Sequence, residues 1–197
     1  MKQIKYFITT CILLLSYTIA YAQDYYNGDR IKGNGYEYII DKKIPSTIYI
    51  DNINNILINT PAYVNGEEYP MSLVFLSQFI HFKDESVFNR LINDFFTKDE
   101  WNSVLNEKEE LYFYCFFALS LDGDVLEIKY GIDNHPIFRK IESARLYELE
   151  KKLKESIKFY LHDPNSPKRF EKYRELNIPS LSYGFNTKPL KEYYMPK

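Results

Sequence analysis

The chain is predicted to be an α+β domain, an antiparallel sheet with a long C-terminal helix packed on one face. Three observations predict it. Asp122-Gly123 sits between two strand-like runs, residues 143–161 repeat apolar side chains at three and four, and short runs rich in Ile, Tyr and Thr are separated by turn residues. The strand-turn-strand-helix-strand unit spans residues 111–186.

The N-terminus reads as a leader. Lys2 and Lys5 precede an apolar stretch from Tyr6 to about Ala20, and Ala20-Tyr21-Ala22 matches the small-residue pattern cut in secretory signal peptides. Thr9, Thr10, Ser16 and Thr18 interrupt the stretch, which a membrane anchor of about 20 apolar residues would not favour. Cleavage after Ala22 is therefore expected, leaving an exported chain, periplasmic or extracellular, with no membrane span. Residues 23–35 carry Asn27-Gly28 and Gly33-Asn34-Gly35 with no apolar period, and are expected to form a flexible tether. Residues 36–197 then form a single α+β domain.

Within that domain Tyr36–Ile40, Thr47–Asp51 and Ile56–Thr60 are expected as strands, the last two forming a hairpin. The apolar run from Met71 to Phe82 suits a short helix. Asp84 or Ser86 can cap a helix reaching Phe96, whose stripe is Val87, Phe88, Leu91, Ile92 and Phe95. Thr97-Lys98-Asp99-Glu100 fits a capping box and starts a second helix to about Leu105.

Leu111–Ile132 is the most informative stretch. A two-residue turn at Asp122-Gly123 pairs Leu119 with Leu126, Phe117 with Ile128, Cys115 with Tyr130 and Phe113 with Ile132, so one face is apolar throughout. The other face pairs Ala118 with Glu127, Phe116 with Lys129 and Tyr114 with Gly131. Because even this second face is aromatic, Leu111–Leu121 is read as a central strand. A helix from Ser143 to Leu161 follows, with Leu146, Leu149, Leu153, Ile157, Tyr160 and Leu161 on one side. Glu148 with Lys152 and Glu150 with Lys154 are oriented for ion pairs one turn apart. Leu181, Tyr183 and Phe185 alternate with small residues and predict a final edge strand.

The order in residues 111–186 resembles the C-terminal domain of TonB-type energy transducers, where a similar Asp-Gly hairpin precedes a helix. The Ala22-Gln23 junction, the small size and the Leu149-Glu150, Leu153-Lys154, Ile157 helix are more closely similar to small exported proteins of unknown function from gut Bacteroidota. That second resemblance implies an address and no activity.

Charge and motifs exclude several function classes. The formal charge of −2 becomes −4 when Lys2 and Lys5 leave with the leader, and no basic footprint for nucleic acid exists. Lys168–Arg174 is locally basic, but Glu171 interrupts it. Cleavage also leaves Cys115 as the lone cysteine, so no internal disulfide can form, and its neighbours Tyr114 and Phe116 suit a core position. His81, His135 and His162 share no metal-ligand spacing, and Asp122 with Asp124 is explained by the turn. No nucleophile elbow, HExxH helix or phosphate loop occurs. No catalytic, cofactor-binding or metal residue is therefore assigned.

Two function classes remain. One is a non-enzymatic interaction or accessory module of the cell envelope, whose partner is another envelope protein or a glycan; the 19 tyrosines point that way, since Tyr offers rigid area with a polar tip. The other is a small hydrolase of envelope or dietary glycans using two carboxylates about 5–10 Å apart in a cleft. A flat Tyr-lined face would favour the first. A closed pocket between helix and sheet would instead suit an apolar ligand.

Overall fold

The computed structural model describes residues 26, 28–59, 62–64, 67–69, 79–168, 170–171, 181–185 and 188–196. The expected leader lies outside them, as do most of the expected helix at 71–82 and Asn27 of the tether. The fold is α+β with an antiparallel main sheet. Six strands, β1 (Arg30–Gly33), β2 (Tyr36–Asp41), β3 (Thr47–Asn52), β7 (Phe113–Leu119), β8 (Val125–Asp133) and β10 (Leu181–Phe185), lie in the order β1-β2-β3-β8-β7-β10. Two small ribbons stand apart: β4 (Ala62–Val64) with β5 (Glu67–Tyr69), and β6 (Ile80–Phe82) with β9 (Phe159–Leu161).

The helices are α1 (Glu85–Phe95), α2 (Lys98–Asn106), α3 (Pro136–Arg139) and α4 (Ser143–Ser156). Both expected N-caps form. Asp84 accepts the Ser86 amide at 2.9 Å, and Thr97 with Glu100 completes the capping box of α2. On α4 the stripe Leu146, Leu149 and Leu153 is buried against the sheet, where Ile48, Ile50, Cys115, Phe117, Ile128 and Tyr130 face it. Alternation along each strand sends the intervening side chains to the opposite face.

The hairpin holds its expected register from Phe113–Ile132 through Ala118–Glu127, but the turn is one residue longer than expected. The Gly123 amide donates to Ser120 O at 3.0 Å, and the Ser120 amide donates to Asp124 O at 2.9 Å. The loop is thus Leu121-Asp122-Gly123, with Gly123 left-handed at φ 84°. Leu119 then pairs with Val125 rather than Leu126, and a bulge takes up the extra residue and restores the other pairs. Leu126, expected inside, is exposed for that reason.

Four expectations are corrected. The tether ends sooner: Tyr26 is buried with its hydroxyl donated to Ile141 O at 2.8 Å, and β1 pairs with β2 through a turn at Asn34-Gly35. The third strand and its hairpin do not form, because both sides of β3 are occupied by β2 and β8. Residues Leu57–Asn59 make a 3-10 turn instead. Of the expected helix at 71–82, Ile80–Phe82 is strand β6. The long helix stops at Ser156, and Phe159–Leu161 becomes β9. Buried Ile157 and Phe159 alternate with exposed Lys158 and Tyr160, a strand period that outcompetes the helical one. β9 leaves the main sheet between α4 and β10, so the transducer-like order is interrupted.

Arg145 fastens α4 to the start of α2. Its guanidinium donates to both Glu100 oxygens, at 2.7 and 2.8 Å, and also to Phe95 O. Burial raises the Glu100 carboxyl, but Arg145 and the Thr97 amide more than offset this and hold it below its ordinary range. A depressed folded value means that the stabilisation is complete above the unfolded carboxylate range and is lost as pH falls through the folded value. Glu100→Gln should therefore cost about 1–2 kcal/mol at pH 7 and clearly less near about pH 3. Urea unfolding of both proteins at the two pH values checks this; an unchanged gap would contradict it.

Candidate functional site

The helices and the β6-β9 ribbon pack on one face of the sheet, and the other face carries an aromatic cluster. Cα partners place Gly131 of β8 between Tyr49 of β3 and Tyr114 of β7, while Lys129 lies between Asp51 and Phe116. Phe116 is followed across the next strand by Gly184 of β10. All these positions alternate with residues that face α4.

Glycine makes room for the rings at the centre of the cluster. The Phe116 ring lies 3.3 Å from where a Cβ at Gly131 would stand, and 3.2 Å from the same position at Gly184. Tyr49 and Tyr114 also border the Gly131 gap, at 3.4 and 3.3 Å. A side chain at 131 would crowd the Phe116 ring and the Tyr114 Cβ, which would have to give by a few tenths of an ångström. Tyr112, Tyr114 and Phe116 form a row along β7 and the residue before it, with centroid spacings of 5.9 and 6.5 Å and interplanar angles of 26° and 15°. Tyr49 meets Phe116 at 6.1 Å. All four side chains are half-buried, so part of each ring faces solvent.

Polar groups frame the rings. Lys129 pairs with Asp51 at 3.5 Å and lies 5.8 Å from the Tyr49 ring centroid. Asp51 also accepts the Asn55 amide at 2.8 Å. Asp133 accepts the Tyr112 backbone amide at 2.7 Å; burial raises its carboxyl, against that bond and His135. The Tyr112 hydroxyl donates to Glu110 at 2.8 Å, and this bond raises the phenol. Burial, with Asp133 and Tyr49 behind it, raises Tyr114. Both phenols thus stay neutral at pH 7 and can donate as well as accept.

Glu127 closes one end of the face. Its two oxygens accept the Ile56 and Ile58 amides at 2.8 and 2.9 Å, which clamps the 3-10 turn at Leu57–Asn59 beside β7 and β8. These amides find a side-chain carboxylate rather than a strand partner, which is why Ile56–Asn59 is not a strand.

Elsewhere, chemistry-bearing groups are committed to structure. Cys115 is fully buried and burial pushes its thiol up, so it is an inert core residue. His135 caps α3, accepting the Ile137 amide at 3.4 Å, and sits 3.3 Å from Glu107. His81 pairs with Tyr160 across the β6-β9 ribbon, and His162 lies against the Tyr160 ring. Among the described residues no three His, Cys, Asp or Glu side chains gather as a metal site would need. No described helix is long and apolar enough to cross a membrane.

A surface groove of about 300 Å³ between α1 and α4 is lined by Leu91, Asp94, Phe95, Arg145, Glu148 and Lys152. Arg145 there is held by Glu100, and Glu148 pairs with Lys151 at 3.0 Å rather than with Lys152 as expected. The second expected pair forms, Lys154 to Glu150 at 2.7 Å, but Glu150 proves to be buried.

The aromatic face escaped sequence reasoning in one respect. The pattern places Tyr114 and Phe116 on the second face of a central strand and says nothing of their exposure; the strand lies between β8 and β10, and both side chains are half-exposed. The usable signal was Gly131, a glycine inside a strand pattern opposite an aromatic.

No protein-family model matches the chain, and no curated protein matches it. A solved structure does: the crystal structure at 1.85 Å of a DUF5043 family protein from Bacteroides uniformis ATCC 8492, 18% identical, covering 84% of this chain and 88% of that one with a TM-score of 0.59. At that identity the likeness establishes a shared fold.

Proposed function

We propose that the chain is an exported, non-enzymatic binding module of the cell envelope that engages its partner through the aromatic face. The observation that carries this reading is the cluster of Tyr49, Tyr112, Tyr114 and Phe116 around Gly131, on the face turned away from the helices. Half-exposed aromatics anchored on rigid strands lose little freedom on binding and supply large contact area. Its carboxylates are tied to backbone amides, Lys129 and Asn55, an arrangement suited to holding a partner rather than to proton transfer.

The address is tested first. Intact mass or N-terminal sequencing of the exported protein should give a chain starting at Gln23; a start at Met1 would overturn export by a cleaved leader. The face is tested by sedimenting the purified protein with the envelope fraction of the cell that makes it. The Tyr114→Ser and Phe116→Ser double variant should bind at least about tenfold more weakly, the loss expected when central aromatic anchors are removed. Its circular dichroism and thermal midpoint should show that it remains folded. Equal sedimentation of a folded variant would overturn the role of the face, and release of hydrolysis products from the envelope would overturn the non-enzymatic reading.

A further inference from the structure

We infer that the ligand of this face is a neutral pyranose chain lying along β7, an assignment that rests on the binding reading above. The first argument is shape. Alternate residues of an extended strand point the same way, so Tyr112, Tyr114 and Phe116 present successive rings in one line, nearly parallel to each other. Gly131 and Gly184 carry no side chain of their own, so the Phe116 ring can lie against the backbone of the strands on either side of the line. A row of this kind accepts a ligand that is extended, repeating and flat on one side. The aromatic face is the negative side of the ring quadrupole, and the axial C–H bonds of a pyranose offer it a weakly positive, apolar surface.

The second argument is charge. Among the described residues, Asp51, Glu110 and Asp133 border the rings, with the Lys129 ammonium beside Tyr49. Strands β3, β7 and β8 carry no arginine, and Lys129 is held by Asp51. A phosphate, sulfate or uronate chain would want an arginine fork or clustered lysines and would be repelled here. The same carboxylates, tied to Lys129, Asn55, the Tyr112 amide and the Tyr112 hydroxyl, stand beside the rings as acceptors of the kind that ligand hydroxyls meet. The neutral phenol of Tyr114 adds a group that can donate or accept. An aliphatic ligand finds no enclosure on an open face, and a polar edge would be wasted on it. A pyranose chain has both the apolar side and the hydroxyl edge.

The test is envelope sedimentation repeated on three preparations: untreated, oxidised with periodate, which cleaves the vicinal diols of sugars, and digested with protease. Wild-type protein should sediment with the untreated and protease-digested material and lose binding at least about tenfold on the oxidised material. Binding should change little between low and high salt, and a soluble neutral glucan or mannan should compete. Binding that survives periodate and is not competed by the glucan or mannan, or that is abolished by protease, overturns the sugar assignment while leaving the aromatic face in place. A steep loss with salt points to a cationic peptide and also overturns it. If untreated envelope shows no difference between wild type and the Tyr114→Ser, Phe116→Ser variant, the face reading itself fails and the sugar assignment falls with it.

Discussion

Gly123→Ala should cost about 3–5 kcal/mol, the largest effect expected of one methyl group in this molecule. Two penalties combine. Gly123 has φ 84°, which costs an L-residue about 1–2 kcal/mol. The added Cβ would also stand 2.1 Å from Phe159 O, far inside contact distance, and the atom it meets is backbone that cannot rotate away. The turn and β9 would have to separate, breaking the bond from the Phe159 amide to Gly123 O at 2.8 Å and the ion pair of Lys158 with Asp124. The Phe159 ring, packed at a tilt against Phe82 at 4.6 Å and Phe117 at 5.3 Å, would lift with it. Urea unfolding at neutral pH measures the loss. A change below about 1 kcal/mol would mean that β9 does not close on the hairpin turn as described.

Glu150→Ala should cost about 2–4 kcal/mol. Glu150 is 2% exposed, yet its charged neighbours on the helix, Glu148, Lys151 and Lys152, are exposed. It accepts the Tyr38 hydroxyl at 2.8 Å, the Asn52 amide at 3.4 Å and the Lys154 ammonium at 2.7 Å. Truncation leaves the Tyr38 hydroxyl and Asn52 amide buried without this acceptor, besides opening a small cavity. Tyr38→Phe alone should cost about 1–2 kcal/mol. Combining it with Glu150→Leu should cost less than the two single changes together, by about 1 kcal/mol or more, because removing both partners leaves fewer orphaned groups. Strict additivity in a double-mutant cycle would show that the pair is not coupled. Burial and the Glu150 carboxylate both push the Tyr38 phenol up, so the hydroxyl remains a donor throughout the neutral range.

What was legible in the sequence follows from how local each cause is. The caps at Asp84 and Thr97 depend on four consecutive residues and form as expected. The hairpin register from Phe113 to Ala118 was legible because a two-residue period on both strands admits one match, and the longer turn was absorbed by a bulge. Failures came where distant segments compete. Ile157–Leu161 continues an apolar helical stripe yet also alternates, and pairing with Ile80–Phe82 settles it as strand. Ile56–Asn59 has strand composition, but β3 has no free side and Glu127, about 70 residues away, takes the amides. Glu150 reads as surface because its helix neighbours are charged; only packing against Tyr38 and Asn52 reveals it as core.

The candidate site was half legible for the same reason. Strand alternation places Tyr114, Phe116, Lys129 and Gly131 on one face, and that grouping holds. Whether such a face is covered depends on where every helix goes, which no local pattern states. With α1 and α4 both on the Leu119 side, the aromatic side is left to the 3-10 turn at Leu57–Asn59 at one end and to solvent elsewhere among the described residues.

Hydroxyl-radical footprinting of the protein free and bound to envelope reads the aromatic face itself, because Tyr and Phe rings report their own exposure. Binding through the aromatic face predicts that Tyr49, Tyr112, Tyr114 and Phe116 become protected together, while Tyr160, 53% exposed on the β6-β9 ribbon, stays as reactive as in the free protein. Protection centred on Tyr160 or on the α1-α4 groove, with the four aromatic-face rings unchanged, would contradict it.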